Sequence, residues 1–229
     1  MASSSGAEEA SLDDDYASLI ATTDVELLKR AWRNEKAAPE ILRYESHLIS
    51  RVKEQIELME ETVEEKSSVG NDPLSVSLYQ MDLDRTLFLL RSYLRIRIQK
   101  IEKYMFHILK TEELWNRLSK DERDFARTCT SDLNQHLEET VLSKLPENYQ
   151  SVLKQSVISE EEDMVPEPQL DTFVLCRSKE YLTGIQLEDG PADDRQFLSK
   201  LFEMEPGVLH FICYRSIKAL VESGKIDLL

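Results

Sequence analysis

The chain has 229 residues, 41 % of them hydrophobic, which is enough for one large domain or two small ones with a core of their own. Its 28 basic and 44 acidic side chains leave a net charge of −16. That charge repels phosphate backbones and anionic lipid at long range, and it argues against a surface that grips DNA or a membrane by itself, although a local basic patch inside an assembly stays open.

Apolar runs reach four or five residues before a charge interrupts them, far from the roughly 20 that a bilayer span needs. The start, MASSSGAEEASLDDDY, has neither the basic residues nor the apolar run of a secretory signal, so a reducing compartment is expected. Cys129, Cys176 and Cys213 are odd in number and scattered among apolar neighbours, and they read as small core residues.

Residues 1–22 are expected to be an acidic, disordered tail; from Met1 to Leu28 there are seven acids and no base. Within it SLDDDYASLI places Leu12, Tyr16, Leu19 and Ile20 at i, i+4, i+7 and i+8, one helical face. Two readings stand: an accidental spacing or early helical turn, and a short motif that folds into a partner's groove.

A helix is predicted from about Thr23 to Ala37, capped by Thr23 or Asp24, with Val25, Leu28 and Trp32 inward. Pro39 is read as the start of a second, with Ile41, Leu48, Val52, Ile56, Met59 and Val63 on one face, ending near Lys66 at SSVGND. Asp72-Pro73 suits the cap and first position of a third, and nothing from Leu74 to Lys110 stops it. Ser119-Lys-Asp-Glu122 is a capping box that opens another, running to Pro146. Short connections make these helices a bundle.

From Gln155 to Asp171 there are six acids, no base and two prolines, the composition of a linker. TFVLCRS, GIQLED and VLHFICY then read as strands, Arg215 to Glu222 as a short helix with Gly224 at its C′ position, and KIDLL as a closing strand. The fold class is therefore α+β and predominantly α: a helical bundle with a long central helix, then a small β-rich domain. Boundaries are placed at 23–146 for the helical domain, 147–170 for the linker and 171–229 for the β-rich domain.

The central helix contains RTLFLLRSYLRIRIQKIEKY, with six bases in 20 residues. On a helical wheel Leu87, Leu90, Leu94, Ile98, Ile101, Tyr104, Met105 and Ile108 share one arc, and Leu89, Tyr93 and Ile96 extend it to roughly 200°, more than one packing face takes up. A second body is expected over the extra face. Arg97 and Lys100 fall inside the apolar arc and need carboxylates or carbonyls, some from Glu35, Glu102 or the acidic second helix, the rest from a partner. Arg91, Arg95 and Lys103 form either a solvated face or a docking rim.

Catalytic and metal chemistry find little material. The four histidines are isolated, and there is no HExxH, paired CxxC, phosphate loop or nucleophile elbow. No enzyme and no cofactor is expected. Between Pro73 and Lys110 the net charge is only +4, from seven bases and three acids, and the aromatics lie on the apolar arcs rather than between the bases. Core and interface packing explains them better than a nucleic-acid track.

SYLRIRIQKIEKY, preceded by AWRNEKAAPE and followed by YRSIKALVESGKIDLL, resembles the Sld-five-type subunit of the GINS complex, also called GINS subunit four. The matching positions are Trp32, Asn34, Glu35, Lys36 and Pro39, then Tyr93, Leu94, Arg95, Arg97, Lys100, Ile101, Glu102 and Lys103. The resemblance implies a nuclear, noncatalytic scaffold in a tetramer with three sister subunits. That complex joins the MCM motor ring and a RecJ-like accessory factor to form the replicative helicase, for initiation and elongation of DNA replication. With the wheel, it puts Trp32, Asn34, Glu35, Lys36, Leu89, Tyr93, Arg95, Ile96, Arg97, Lys100 and Lys103 at subunit interfaces, with any DNA contact indirect. The alternatives are a helical DNA-binding protein and a generic helical tether.

Overall fold

The computed structural model describes residues 23–68, 72–156, 158, 162–186 and 201–229. Helices α1 (Asp24–Ala37), α2 (Ser46–Ser68), α3 (Pro73–Lys110), α4 (Glu112–Asn116) and α5 (Lys120–Thr140) come first. Strands β1 (Phe173–Ser178), β2 (Leu182–Gln186), β3 (Leu201–Met204) and β4 (Leu209–Cys213) lead to α6 (Tyr214–Glu222) and β5 (Ile226–Leu228). The α+β class with a dominant helical part is what the sequence patterns demand.

The described residues form two compact units: those up to 33 together with those of 45–93, and those of 34–44 together with those from 94 onward. In the first, α1 starts with Asp24 and Glu26 in its first turn, where carboxylates oppose the helix dipole, and Thr23 Oγ1 accepts the Glu26 amide at 3.4 Å. Leu28, Leu48, Ile49, Val52 and Ile56 are buried residues of this unit, and Asp24 pairs with Arg51 at 2.8 Å. Asp72 caps α3 from in front of Pro73, its carboxylate accepting the Leu74 amide at 3.4 Å.

The second helix departs from expectation. Pro39 does not start it; Ala38 to Glu45 is irregular and α2 begins at Ser46. The cause is competition for carbonyl groups. Those of Glu40, Ile41 and Leu42 accept hydrogen bonds from Lys100, Arg117 and Arg97, at 2.8, 3.0 and 2.8 Å, instead of entering a helical ladder.

In the second unit, one apolar cluster gathers Ile41, Ile101, Ile108, Leu114, Leu118 and Ala126. The other lies under the sheet β4-β1-β5, which is antiparallel throughout and pairs Leu175 with Phe211 and Arg177 with Asp227. β1 turns Val174, Cys176 and Ser178 inward, and α6 covers them with Ile217 and Val221. β2 and β3 form a separate hairpin, in which Gly184, at φ 79°, sits in the register break between Leu182 and Ile185. β3, LFEM, is absent from the strands expected from the sequence: four residues without turn signals carry too little pattern to separate strand from loop. Gly224, at φ 75°, ends α6 as expected of a C′ residue.

Burial pushes the Cys176 thiol up from 9.0 to about 11 and, with the Glu40 carboxylate beside it, pushes the Tyr214 hydroxyl up as well. Both groups keep their protons in the fold after the unfolded chain has lost its own. Their contribution to stability is therefore complete below the unfolded values and lost as pH rises toward the folded ones. The urea midpoint of the chain should fall between pH 9 and 11, and Cys176→Ala should remove up to about 2–3 kcal/mol of that fall.

Candidate functional site

The inward stripe of α3 is Leu83, Thr86, Leu90, Tyr93, Arg97, Ile101, Met105 and Ile108, each buried and each three or four residues from the next. Arg97 stands in the middle of it with no exposed surface. A guanidinium there survives only if its donors are met. Its Nε and Nη2 donate to the two carboxylate oxygens of Glu122, at 2.7 and 3.0 Å, and Nη1 donates to Glu35 at 2.9 Å and to the Leu42 carbonyl at 2.8 Å. Nη2 also reaches the Arg117 carbonyl at 3.3 Å, and the Tyr44 ring lies 5.4 Å from the guanidinium carbon.

Glu122 has a second task. It is the N3 residue of the capping box on α5, where its carboxylate accepts the Ser119 amide at 2.8 Å while Ser119 Oγ accepts the Glu122 amide at 3.2 Å. Lys100 donates to Glu35 at 2.8 Å and to the Glu40 carbonyl at 2.8 Å. Burial holds its ammonium below the ordinary value, against the pull of Glu35.

Glu40, also buried, centres a second cluster. Its carboxylate accepts from the Tyr214 hydroxyl at 3.1 Å and from Lys218 at 3.1 Å, and lies 3.3 Å from Arg117. Arg117 reaches on to Glu222 at 2.6 Å and to Glu113. Tyr214, Lys218 and Glu222 are spaced i, i+4 and i+8, so α6 aims one polar row at this cluster while its apolar face enters the sheet's core. Asn34 Oδ1 accepts the Leu228 amide at 2.8 Å and ties β5 to the same 34–44 segment. Together these contacts fix the small sheet and α6 on the helical part of their unit. Among the described residues no set of three His, Cys, Asp or Glu side chains converges as metal ligands would.

The residues expected at interfaces separate into three groups. Glu35, Asn34, Arg97 and Lys100 meet one another or their neighbours inside the chain, and for Arg97 the partners named above come from Glu35 and, in place of Glu102, from Glu122. Leu89 and Tyr93 are buried in the first unit, and Trp32 there donates its indole N–H to Ser92 at 2.9 Å. Lys36, Arg95 and Lys103 are exposed and Ile96 is half-buried. The tail positions Leu12, Tyr16, Leu19 and Ile20 lie outside the described residues.

The open apolar face of α3 lies elsewhere than the wheel placed it. Leu74, Leu78, Met81 and Phe88 are exposed by between 56 and 66 %, and their spacing, completed by Arg85, is four, three, four, three. This stripe runs on the opposite side of the helix from Leu83, Thr86 and Leu90. The signal is present in the sequence, in the first turns of α3 ahead of Arg85.

Arg97→Ala should cost about 3–5 kcal/mol in chemical unfolding, because it strands two buried carboxylates. Adding Glu35→Gln and Glu122→Gln to Arg97→Met should cost less than Arg97→Ala alone. Equal losses would mean that charge stranding is not the source.

Two family descriptions match the chain: "GINS complex protein helical bundle domain" over residues 47–141 and "DNA replication complex GINS protein SLD5 C-terminus" over residues 168–229. Curated relatives named DNA replication complex GINS protein SLD5 are similar over nearly the whole chain. The Arabidopsis thaliana protein is 61 % identical across 96 % of this chain and 98 % of its own length. The Bos taurus protein is 35 % identical across 97 % and 100 %, and the Homo sapiens protein 34 % across 90 % and 88 %. A dominant helical part, a small C-terminal sheet and matches to both agree: the chain belongs to the SLD5 family of GINS complex proteins.

Proposed function

We propose that the chain is a noncatalytic scaffold subunit of a GINS heterotetramer in the nucleus, bound to three sister subunits, and that through the complex it helps to join the MCM ring and a RecJ-like accessory factor into the replicative helicase. Its work is binding, at initiation and elongation of DNA replication. In this reading the helical domain spans 23–146, a linker 147–170 and the β-rich domain 171–229. Exposed Lys36, Arg95 and Lys103 serve as rim contacts, and DNA is met at most indirectly.

The observation that carries the reading is the two-sided long helix. α3 buries one stripe inside the chain and leaves a second, of Leu74, Leu78, Met81 and Phe88, in water, an arrangement suited to a subunit and costly for a solitary protein. The names of the relatives support the same reading. The acidic total of the chain disfavours a direct grip on phosphate.

Native mass spectrometry of the tagged full chain, purified from nuclear extract, tests it. A discrete complex with one copy each of four GINS subunits is expected. A monomer or homodimer with a cooperative, concentration-independent melt would overturn the scaffold reading.

A further inference from the structure

Leu74, Leu78, Met81, Arg85 and Phe88 repeat the spacing of a coiled-coil seam. Over these 15 residues the stripe is about 21 Å long at 1.5 Å per residue, the length of a paired helix of four turns. All five residues are exposed, and no ion pair joins Arg85 to another described residue. Asp82 and Asp84, also exposed, flank the seam on opposite sides. The seam therefore has a cation near its C-terminal end, three apolar residues before it and one after it, and an anion on each rim.

We propose that this stripe of α3 receives one amphipathic helix of another chain. That helix carries an Asp or Glu in the seam opposite Arg85 and Lys or Arg at the rim opposite Asp82 and Asp84. The inference rests on the scaffold reading and specifies the chemistry of one sister-subunit contact. Charge complementarity decides the occupant. An uncharged apolar helix would bury Arg85 without a partner, leaving a desolvated charge unmet.

A second copy of this chain fits worse. In an antiparallel pair centred on Met81, Arg85 of each copy would lie against Leu78 of the other; in a parallel pair, Arg85 would face Arg85. Either way the seam keeps an unmet cation. A polar residue at such a position fixes register and partner at some cost in affinity. Arg85 would thus be the residue that selects which helix binds and in which alignment.

The test is reconstitution of the full chain with the other three GINS subunits, with a photo-crosslinking residue at Met81 and, separately, Arg85→Glu. Both positions are exposed, so the variants should keep the circular dichroism of the parent. Crosslinks from position 81 should map to one helix of a sister subunit, beside a single Asp or Glu. Arg85→Glu should weaken assembly at least tenfold, and a Lys at the facing acid should restore it. If the parent assembles while position 81 stays uncrosslinked, or Arg85→Glu assembles like the parent, the seam is not an interface and the scaffold reading stands. If the parent itself does not assemble, both fall.

Discussion

One guanidinium organises the larger of the two units. Arg97 lies where the periodicity of α3 calls for a leucine, and a charge removed from water at that place must be matched donor by donor. Glu35 from α1, Glu122 from α5, and the carbonyls of Leu42 and Arg117 do this. Glu35 and Leu42 lie in the 34–44 segment and Arg117 and Glu122 at the entry to α5, so meeting the needs of one side chain draws two distant stretches onto α3. Lys100, one turn later, holds the same 34–44 segment through Glu35 and Glu40.

Such a centre favours specificity over raw stability. An apolar residue of similar volume would pack at lower desolvation cost, but it would accept many arrangements of the surrounding segments. The bidentate grip of Arg97 on Glu122 accepts few. Because Glu122 also closes the capping box of α5, the start of that helix and the neutralisation of Arg97 are set by one carboxylate. The irregular run from Ala38 to Glu45 follows from the same demand, since its carbonyls are committed to cations and are lost to helix formation.

The helices with clear periods and caps were legible in the sequence: Asp72-Pro73 marked the start of α3, Ser119 and Glu122 that of α5, and Gly224 the end of α6. The need of Arg97 and Lys100 for carboxylates was legible too, and Glu35 was named among the candidates. Glu122 was hidden because its role in the capping box already explained it. The false helix start at Pro39 arose because local rules favour proline at N1, while the deciding contacts join residues 55 to 76 positions apart. Leu89 and Tyr93 looked like surplus apolar surface on a wheel that treats every residue as ideally helical and knows nothing of neighbouring helices; in the fold they are covered. The exposed seam could have been read, since its spacing needs no tertiary information.

Glu40 has a consequence for how this chain can change over time. Bundle and sheet look like exchangeable modules joined by an acidic connector, the arrangement in which domains are commonly shuffled, duplicated or lost. Yet Glu40, near the beginning of the chain, is met by Tyr214 and Lys218 near its end, and Asn34 is met by the backbone of Leu228. Removing the C-terminal part would leave the buried Glu40 carboxylate with Arg117 alone, and replacing it would require a new helix with the same polar row. Exchanging either part alone would break these ties, which rest on residues that no motif on either side would have marked.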